Sequence, residues 1–515
     1  MSILIPRIEH PELVFGFVAP IGAEIDRSVQ AFHAYFKRQG YEVVDIKVTD
    51  VYQFLKKYVP PAQTLETFPP EDRYHSYIAY GDQLRTYFAD DSFLAATAIA
   101  RIIGKRTAII EKRKKAGNST DSLSKTVFLL HQFKRKEEID LLRAVYGDVF
   151  FQVSIYSRRG ARVDHLARKF ATGNHSTNIN TFRAAAETLV QTDENEANEH
   201  GQEVGRIFHS ADFIVNMDQH EPSTEQQIER FCELLFSSNC ISPTKMEHGM
   251  FLAKGAALRS LDLSRQVGAA ILDGEGQIIC LGANEVPKAN GGTYWADGKY
   301  DDRDFLRGAD SNERRKKEIL SDILRALNHK QSIDEVMESE AVRSSQLMDA
   351  LEYTRVIHAE MNAICDAGKN GRPLKDAVLY CTTFPCHMCA KHIIASGMSQ
   401  VIFLEPYPKS LTFQLHNDSA QIEGGDRGTY AQFPSVHFIH FFGVTPRRYQ
   451  QIFARGRRKD AQGTFVRYAN GKKRPVVDLK SPFYTQPETL VLNLLQQQYR
   501  AKLGEMAKDL ARAGD

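Results

Sequence analysis

Two short stretches carry residue types that can do metal chemistry, His358-Ala359-Glu360 and Pro385-Cys386-His387-Met388-Cys389. One imidazole and two thiolates fill three corners of a tetrahedral zinc site and leave the fourth for water. A structural site would want a fourth protein ligand. Three ligands beside an unligated carboxylate suit hydrolysis instead, because zinc brings the pKa of bound water down to about 7. His358, Cys386 and Cys389 are therefore the candidate Zn2+ ligands, and Glu360 is the candidate catalytic acid and base. A lone Cys-x-x-Cys can equally be a redox pair, and a lone His-x-Glu is common. The joint pattern, with each half opening a helix, selects zinc.

The elements that must position these residues are legible in outline. Residues 356–368 read as a helix with His358 and Glu360 in its first turn, and 386–396 as a second helix entered through Pro385. Both cysteines then lie near a helix N-terminus, which favours thiolates. Residues 266–272 and 277–281 flank Asp273-Gly274-Glu275-Gly276 as a hairpin, and strands follow at 377–382, 401–404 and 436–441. Between them lies a long charged segment, in which 311–326 reads as a helix through Ile319, Leu320, Ile323 and Leu324. The first half alternates strands at 13–18, 42–48, 126–130, 149–155 and 212–215 with helices at 28–39, 137–145 and 162–170. That alternation predicts a parallel sheet covered on both faces. Residues 191–205, with Asp193, Glu194, Glu196 and Glu199, read as a mobile loop or lid, or else as a solvated helix face. Residues 455–474 hold eight Lys and Arg against one acid, Asp460, and a last helix opens at Thr485-Gln486-Pro487-Glu488 in the capping-box arrangement.

A chain of 515 residues implies two to four domains. Its 66 Lys+Arg against 64 Asp+Glu exclude a globally basic nucleic-acid coat, though not a local patch. Seven cysteines are too few, and odd in number, for a disulfide scaffold, which fits a reducing, cytoplasmic location. No apolar run approaches the roughly 18 residues of a membrane span, so no membrane partner is expected.

The pattern His-x-Glu followed by Pro-Cys-x-x-Cys is the signature of zinc nucleobase deaminases. Residues 250–445 resemble a deoxycytidylate (dCMP) deaminase domain through Ser264-Arg265-Gln266-Val267-Gly268-Ala269, Gly282-Ala283-Asn284-Glu285-Val286-Pro287 and the two catalytic stretches. Phe384, ahead of Pro385, resembles the nucleotide enzymes more than deaminases of tRNA or riboflavin precursors. The resemblance implies that Asn284 contacts the substrate sugar, that Tyr407 closes on sugar or base, and that Ala359 and Arg265 also bind substrate.

Phe15-Gly16-Phe17-Val18-Ala19-Pro20-Ile21-Gly22-Ala23-Glu24-Ile25-Asp26 has the strand-to-helix context of a phosphate-binding loop but fails against G-x-x-x-x-G-K-[ST]. Ala19, Glu24, Ile25 and Asp26 stand at the positions of Gly, Gly, Lys and Ser/Thr, so phosphoryl transfer is not expected. Gly16, Ala19, Gly22, Arg158 and Arg159 remain as candidate nucleotide-binding residues. A degenerate P-loop kinase-like domain ahead of a dCMP-deaminase-like domain resembles the bacterial anti-phage deoxycytidine-nucleotide deaminases, the antiviral cytidine deaminase family. Tyr300-Asp301-Asp302-Arg303-Asp304-Phe305 and Gly308-Ala309-Asp310-Ser311-Asn312 resemble that family as well. The resemblance implies conversion of dCTP and dCMP to dUTP and dUMP, depleting nucleotides during phage infection. It also implies a dTTP or dCTP effector, a small inhibitory RNA and a homo-oligomer.

The expected fold class is α/β. A P-loop-like three-layer domain spans 1–240, and a cytidine-deaminase-like α/β/α domain with a five-stranded mixed sheet spans 241–450, with a charged insert at about 288–350. A basic extension and terminal helix occupy 451–515. The rival readings are a polynucleotide (RNA or single-stranded DNA) cytidine deaminase and a regulatory nucleotide- or RNA-binding protein with a deaminase fold.

Overall fold

A computed structural model describes residues 6–117, 123–194, 204–468 and 471–512. The expectation for 191–205 therefore lies mostly outside the described residues. The chain divides into two units, Met1–Ser242 with Phe442–Asp515, and Pro243–Phe441.

The strands of the first unit are β1 (Leu13–Val18), β2 (Glu42–Lys47), β3 (Thr126–Phe133), β4 (Phe150–Tyr156), β5 (Phe213–Asn216) and β12 (Gly443–Val444). They lie in the order β12-β5-β4-β1-β3-β2, with β12 antiparallel to β5 and the other pairs parallel. β1 is buried along its whole length, as a central strand covered on both faces must be. The helix Ile25–Arg38 turns Phe32 and Phe36 onto Phe15, with ring centroids 5.2 and 5.3 Å away.

Residues 442–515, which include the expected basic extension and terminal helix at 451–515, belong to this unit. The cause is buried charge. Asp212, wholly buried, takes the Nε of Arg448 at 3.1 Å and the backbone N–H of Gln152 at 2.7 Å. Glu488, in the helix Thr485–Arg512, does not act as a capping-box partner; its carboxylate binds Arg106 through two bonds of 2.6 and 2.8 Å and accepts from the Tyr146 hydroxyl at 2.7 Å.

The strands of the second unit are β6 (Gly268–Leu272), β7 (Ile278–Ala283), β8 (Val378–Thr383), β9 (Gln400–Glu405), β10 (Ala420–Ile422) and β11 (Val436–His440). Their order is β10-β11-β9-β8-β6-β7, with β6 antiparallel to both neighbours and the rest parallel. The sheet is mixed, as expected, but has six strands rather than five. The extra strand, β10, is only three residues long, too short to leave a period-two pattern.

Two glycines set the layering. A Cβ on Gly268 would lie 1.9 Å from the Ala253 carbonyl oxygen in the helix Lys245–Ala257, and one on Gly282 would lie 2.1 Å from that of Ala359 in the helix Ala359–Lys369. Gly282 pairs with Ala269, the residue after Gly268, and successive residues of a strand face opposite sides. The two helices therefore cover opposite faces. Beside Ala359–Lys369 lies the helix His387–Ala395, and Ala359, Ala363, Cys386, Cys389, Ala390 and Ile393 share one core cluster.

Candidate active site

The residue that opens each of these two helices is the one that can hold metal. His358 is the N-cap of Ala359–Lys369 and Cys386 the N-cap of His387–Ala395. Both stand in extended backbone just outside the helix, rather than in the first turn as expected for His358. The reason is a short antiparallel bridge. Ile357 N–H donates to the Glu285 carbonyl at 3.1 Å and Glu285 N–H to that of Ile357 at 3.3 Å. His358 is thereby laced to the segment that carries Asn284. Cys386 is fixed from the other side: Phe384 N–H donates to the Glu405 carbonyl at 2.7 Å, and the Ser410 hydroxyl to that of Pro385 at 2.8 Å.

His358 Nδ1 lies 3.3 Å from Cys386 Sγ and 3.4 Å from Cys389 Sγ, and the three ligand atoms lie within 4.8 Å of one another. A borderline nitrogen and two sulfurs converging from two helix N-termini fit zinc. The hydrogen bond with Cys389, against burial, and then the bond and charge of His358 pull the Cys386 thiol down to about 4. The hydrogen bond with Cys386 and burial push Cys389 well above its usual value.

Glu360 is 4% exposed, in the first turn of its helix. Burial first, then the Cys386 charge, raises its pKa above the usual carboxylate value, which brings it closer to that of a group that can both take and give a proton. His358, Glu360 and Cys386 face a cavity of about 450 Å3, and Ala359, Asn284, Arg265 and Tyr407 line it too. Every expected residue of this site except Cys389, which is wholly buried, thus meets at one cavity. Arg265 Cζ lies 5.2 Å from the centre of the Tyr407 ring, and its Nη1 is 3.3 Å from Glu405 Oε1. Asn284 accepts from Val267 N–H at 2.7 Å and donates to the Arg265 carbonyl at 2.8 Å. Its amide ties the start of β6 to the end of β7, and one Nδ2 hydrogen remains for a ligand.

Sequence reasoning missed the far wall. Asp310, Asn312, Lys316 and Asp349, all from the charged insert or its edge, line the cavity together with Lys409. Asp310 caps the helix Ser311–Ala326 through the N–H groups of Asn312 and Glu313, at 2.7 and 3.0 Å. Lys316, 3% exposed, donates to the Met348 carbonyl at 2.9 Å and pairs with Glu313. The Asp-x-Asn pattern signals the helix start, but nothing local says which cavity the helix will border.

The candidates of the first unit do not gather in the same way. Gly16 lies inside β1, not in the loop, and a Cβ there would sit 2.8 Å from the Phe150 ring; close packing accounts for the glycine. Gly22 has φ +87° and stands 2.7 Å, from where its Cβ would be, to the Arg162 carbonyl oxygen. The loop after β1 is occupied by the protein itself: Asp193 accepts from Ile21 N–H at 2.6 Å and pairs with Lys134 Nζ at 2.8 Å. Lys134 Nζ also donates to the Ala19 carbonyl at 3.1 Å. Arg158 turns to Asp218, with Nε 3.1 Å away, and Arg159 opens the helix Arg159–Gly173.

Residues 243–405 match a family model described as the cytidine and deoxycytidylate deaminase zinc-binding region. Zn2+ is accordingly the cofactor of this region, with a His/Cys/Cys group able to hold it. A probable deoxycytidylate deaminase of Drosophila melanogaster is 32% identical over 152 residues, covering 29% of this chain and 53% of that one. The deoxycytidylate deaminase of Pongo abelii is 30% identical over 158 residues, covering 31% and 63%. The chain therefore spans less than two thirds of the length of either relative. Among solved structures, the dCMP deaminase of cyanophage S-TIM5 aligns at a TM-score of 0.21 and 16% identity, over 39% of this chain and all of that one. No described helix is long and apolar enough to cross a membrane.

Proposed function

We propose that the protein is a hydrolase that deaminates deoxycytidine nucleotides, dCMP and dCTP, to the corresponding deoxyuridine nucleotides and ammonia. The observation that carries this reading is the convergence of His358, Cys386 and Cys389 beside the buried, unligated Glu360 on one cavity. When bound there, zinc lowers the pKa of a water molecule to about 7 and so makes it a nucleophile at neutral pH. Glu360 accepts a proton from the attacking water and delivers it to N3 of the cytosine ring. It then takes the second proton from the oxygen now bonded to C4 and gives it to the amine; C4=O forms as the C4–N bond breaks, so that water and cytosine become uracil and ammonia. Asn284 offers its remaining Nδ2 hydrogen to the sugar, and Tyr407, held against Arg265, closes the opposite side.

General acid–base groups contribute roughly 10²–10⁴-fold to rate. Glu360→Gln is therefore expected to keep one zinc per chain and to lose ammonia release by about that factor. Full turnover by the variant would remove the mechanism. Deoxycytidine, dCMP, dCTP, CMP and single-stranded DNA offered in parallel test the substrate class, and deamination confined to the DNA would overturn the free-nucleotide reading.

For the first unit we propose a P-loop-like regulatory role without kinase chemistry. The parallel sheet with β1 at its centre supports the fold. Asp193, seated on the loop N–H where a phosphate would bind, supports the loss of phosphoryl transfer. Transfer of phosphate to any nucleoside monophosphate would refute it.

A further inference from the structure

The first unit holds a second cavity, of about 150 Å3, whose wall carries five arginines: Arg7, Arg455, Arg457, Arg458 and Arg474. No carboxylate of the described residues lines it. The acids that pair with these arginines stand outside the wall and at long range, Asp478 at 3.8 Å from Arg7 and Glu9 at 3.8 Å from Arg474. Glu9 is held more closely by Lys472, at 3.0 Å.

Backbone carbonyls hold the guanidinium groups in place. Arg7 donates to those of Pro475 and Val477, Arg455 to those of Ser238 and Ala454 at 2.9 and 3.0 Å, and Arg457 to that of Lys459 at 2.7 Å. Three nitrogens are nevertheless buried with no hydrogen-bond partner: Arg7 Nε, Arg455 Nη2 and Arg474 Nε. Burial, and then the charge of a neighbouring arginine, pulls the pKa of Arg7 and Arg455 down. An arginine cannot relieve this by losing its proton in a protein. A buried donor left unpaired is costly, and a buried charge more so. The exposed Arg457 and Arg458 and the half-buried Arg7, Arg455 and Arg474 together concentrate positive charge at the cavity, which a multivalent anion would offset.

We propose that this cavity binds the polyphosphate group of a small ligand, either an inorganic polyphosphate or the phosphate tail of a nucleoside triphosphate. The planar guanidinium fork matches phosphate oxygens two at a time. The volume is below the roughly 300–1,000 Å3 of sites that enclose a whole drug-sized ligand. No aromatic ring of the described residues lines the wall, so nothing there stacks a base. The phosphates are what the cavity recognises, and a nucleic-acid strand would lack its stacking platform.

The test is calorimetric titration of the full chain with tripolyphosphate, with ATP and with a short oligothymidylate, beside the melting temperature. Tripolyphosphate is expected to bind and to raise the melting temperature. Arg455→Gln and Arg458→Gln are each expected to weaken it at least ten-fold. Arg458, exposed and without a side-chain partner among the described residues, makes a variant whose unliganded melting temperature should not move. The charge-matched control Lys112→Gln, on the exposed end of the helix Phe93–Lys115, should bind as the parent does. Equal affinity for ATP and tripolyphosphate identifies the free polyphosphate as sufficient, and tighter ATP binding identifies a nucleotide tail; either supports the site. Binding unchanged in both arginine variants, or no binding at all, overturns it. So does an oligothymidylate that binds more tightly than tripolyphosphate and is lost in the same variants.

Discussion

Asn284 shows how one side chain can serve both the fold and the site. It is 6% exposed, and its amide bridges the Val267 N–H and the Arg265 carbonyl. Removing a partner so that a buried N–H stands unsatisfied costs about 1–3 kcal/mol. Asn284→Ala is therefore expected to lower stability by that amount in urea denaturation, besides weakening substrate binding. A variant as stable as the parent would mean that the amide serves the ligand alone. At this scale the metal group was the most legible feature, because zinc chemistry demands fixed residue types at short spacing, and His358, Cys386 and Cys389 obey that demand. The place of Gly16 was not legible, because a glycine in a strand under Phe150 and a glycine in a phosphate loop look alike in one dimension. Lys316 and Asn312 were not read as cavity residues, since their place follows from long-range packing that no local pattern encodes.

At the scale of elements, the position of Glu360 depends on how closely the helix Ala359–Lys369 approaches β7. Gly282 permits that approach, since a Cβ would lie 2.1 Å from the Ala359 carbonyl oxygen and 2.7 Å from Ala363 N. Neither atom can step aside without moving the helix start, which carries Glu360 and borders His358. A misplacement of about 1 Å can cost about 10²-fold in rate. Gly282→Ala is expected to reduce turnover by that order, while Gly268→Ala, which pushes on the helix Lys245–Ala257 across the sheet, should chiefly lower the melting temperature. Equal kinetic losses in the two variants would show that the Glu360 helix is not the sensitive one. A strand such as β1 could be read because a short, wholly apolar run leaves few alternatives. The helix Phe93–Lys115 escaped: Phe93 through Ile99 are all buried, so its first two turns carry no 3.6-residue period.

At the scale of the molecule, the chain leaves its first unit at Ser242 and returns to it at Phe442. The two units should therefore respond differently to being made alone. Pro243–Phe441 holds its whole six-stranded sheet and its core cluster, and among the described residues its candidate catalytic cavity is lined only by residues between Asp262 and Lys409. It is expected to unfold cooperatively and to bind one zinc, whatever its substrate proves to be. Met1–Ser242 alone lacks β12, Arg448, Tyr484 and Glu488. Buried Asp212 then loses the Arg448 guanidinium, and Arg106 keeps only Glu12, at 2.9 Å, of its two carboxylates. Breaking a buried ion pair from one side costs about 3–5 kcal/mol, and a domain's whole stability is about 5–15 kcal/mol. Two such losses, with β5 left as an open edge, are comparable to a domain's whole stability. Circular dichroism and urea denaturation should find Met1–Ser242 unfolded or aggregated, and restored when 442–515 is supplied as a second chain. A first fragment that folds as stably as the intact protein would show that the returning segment decorates the unit rather than completing it.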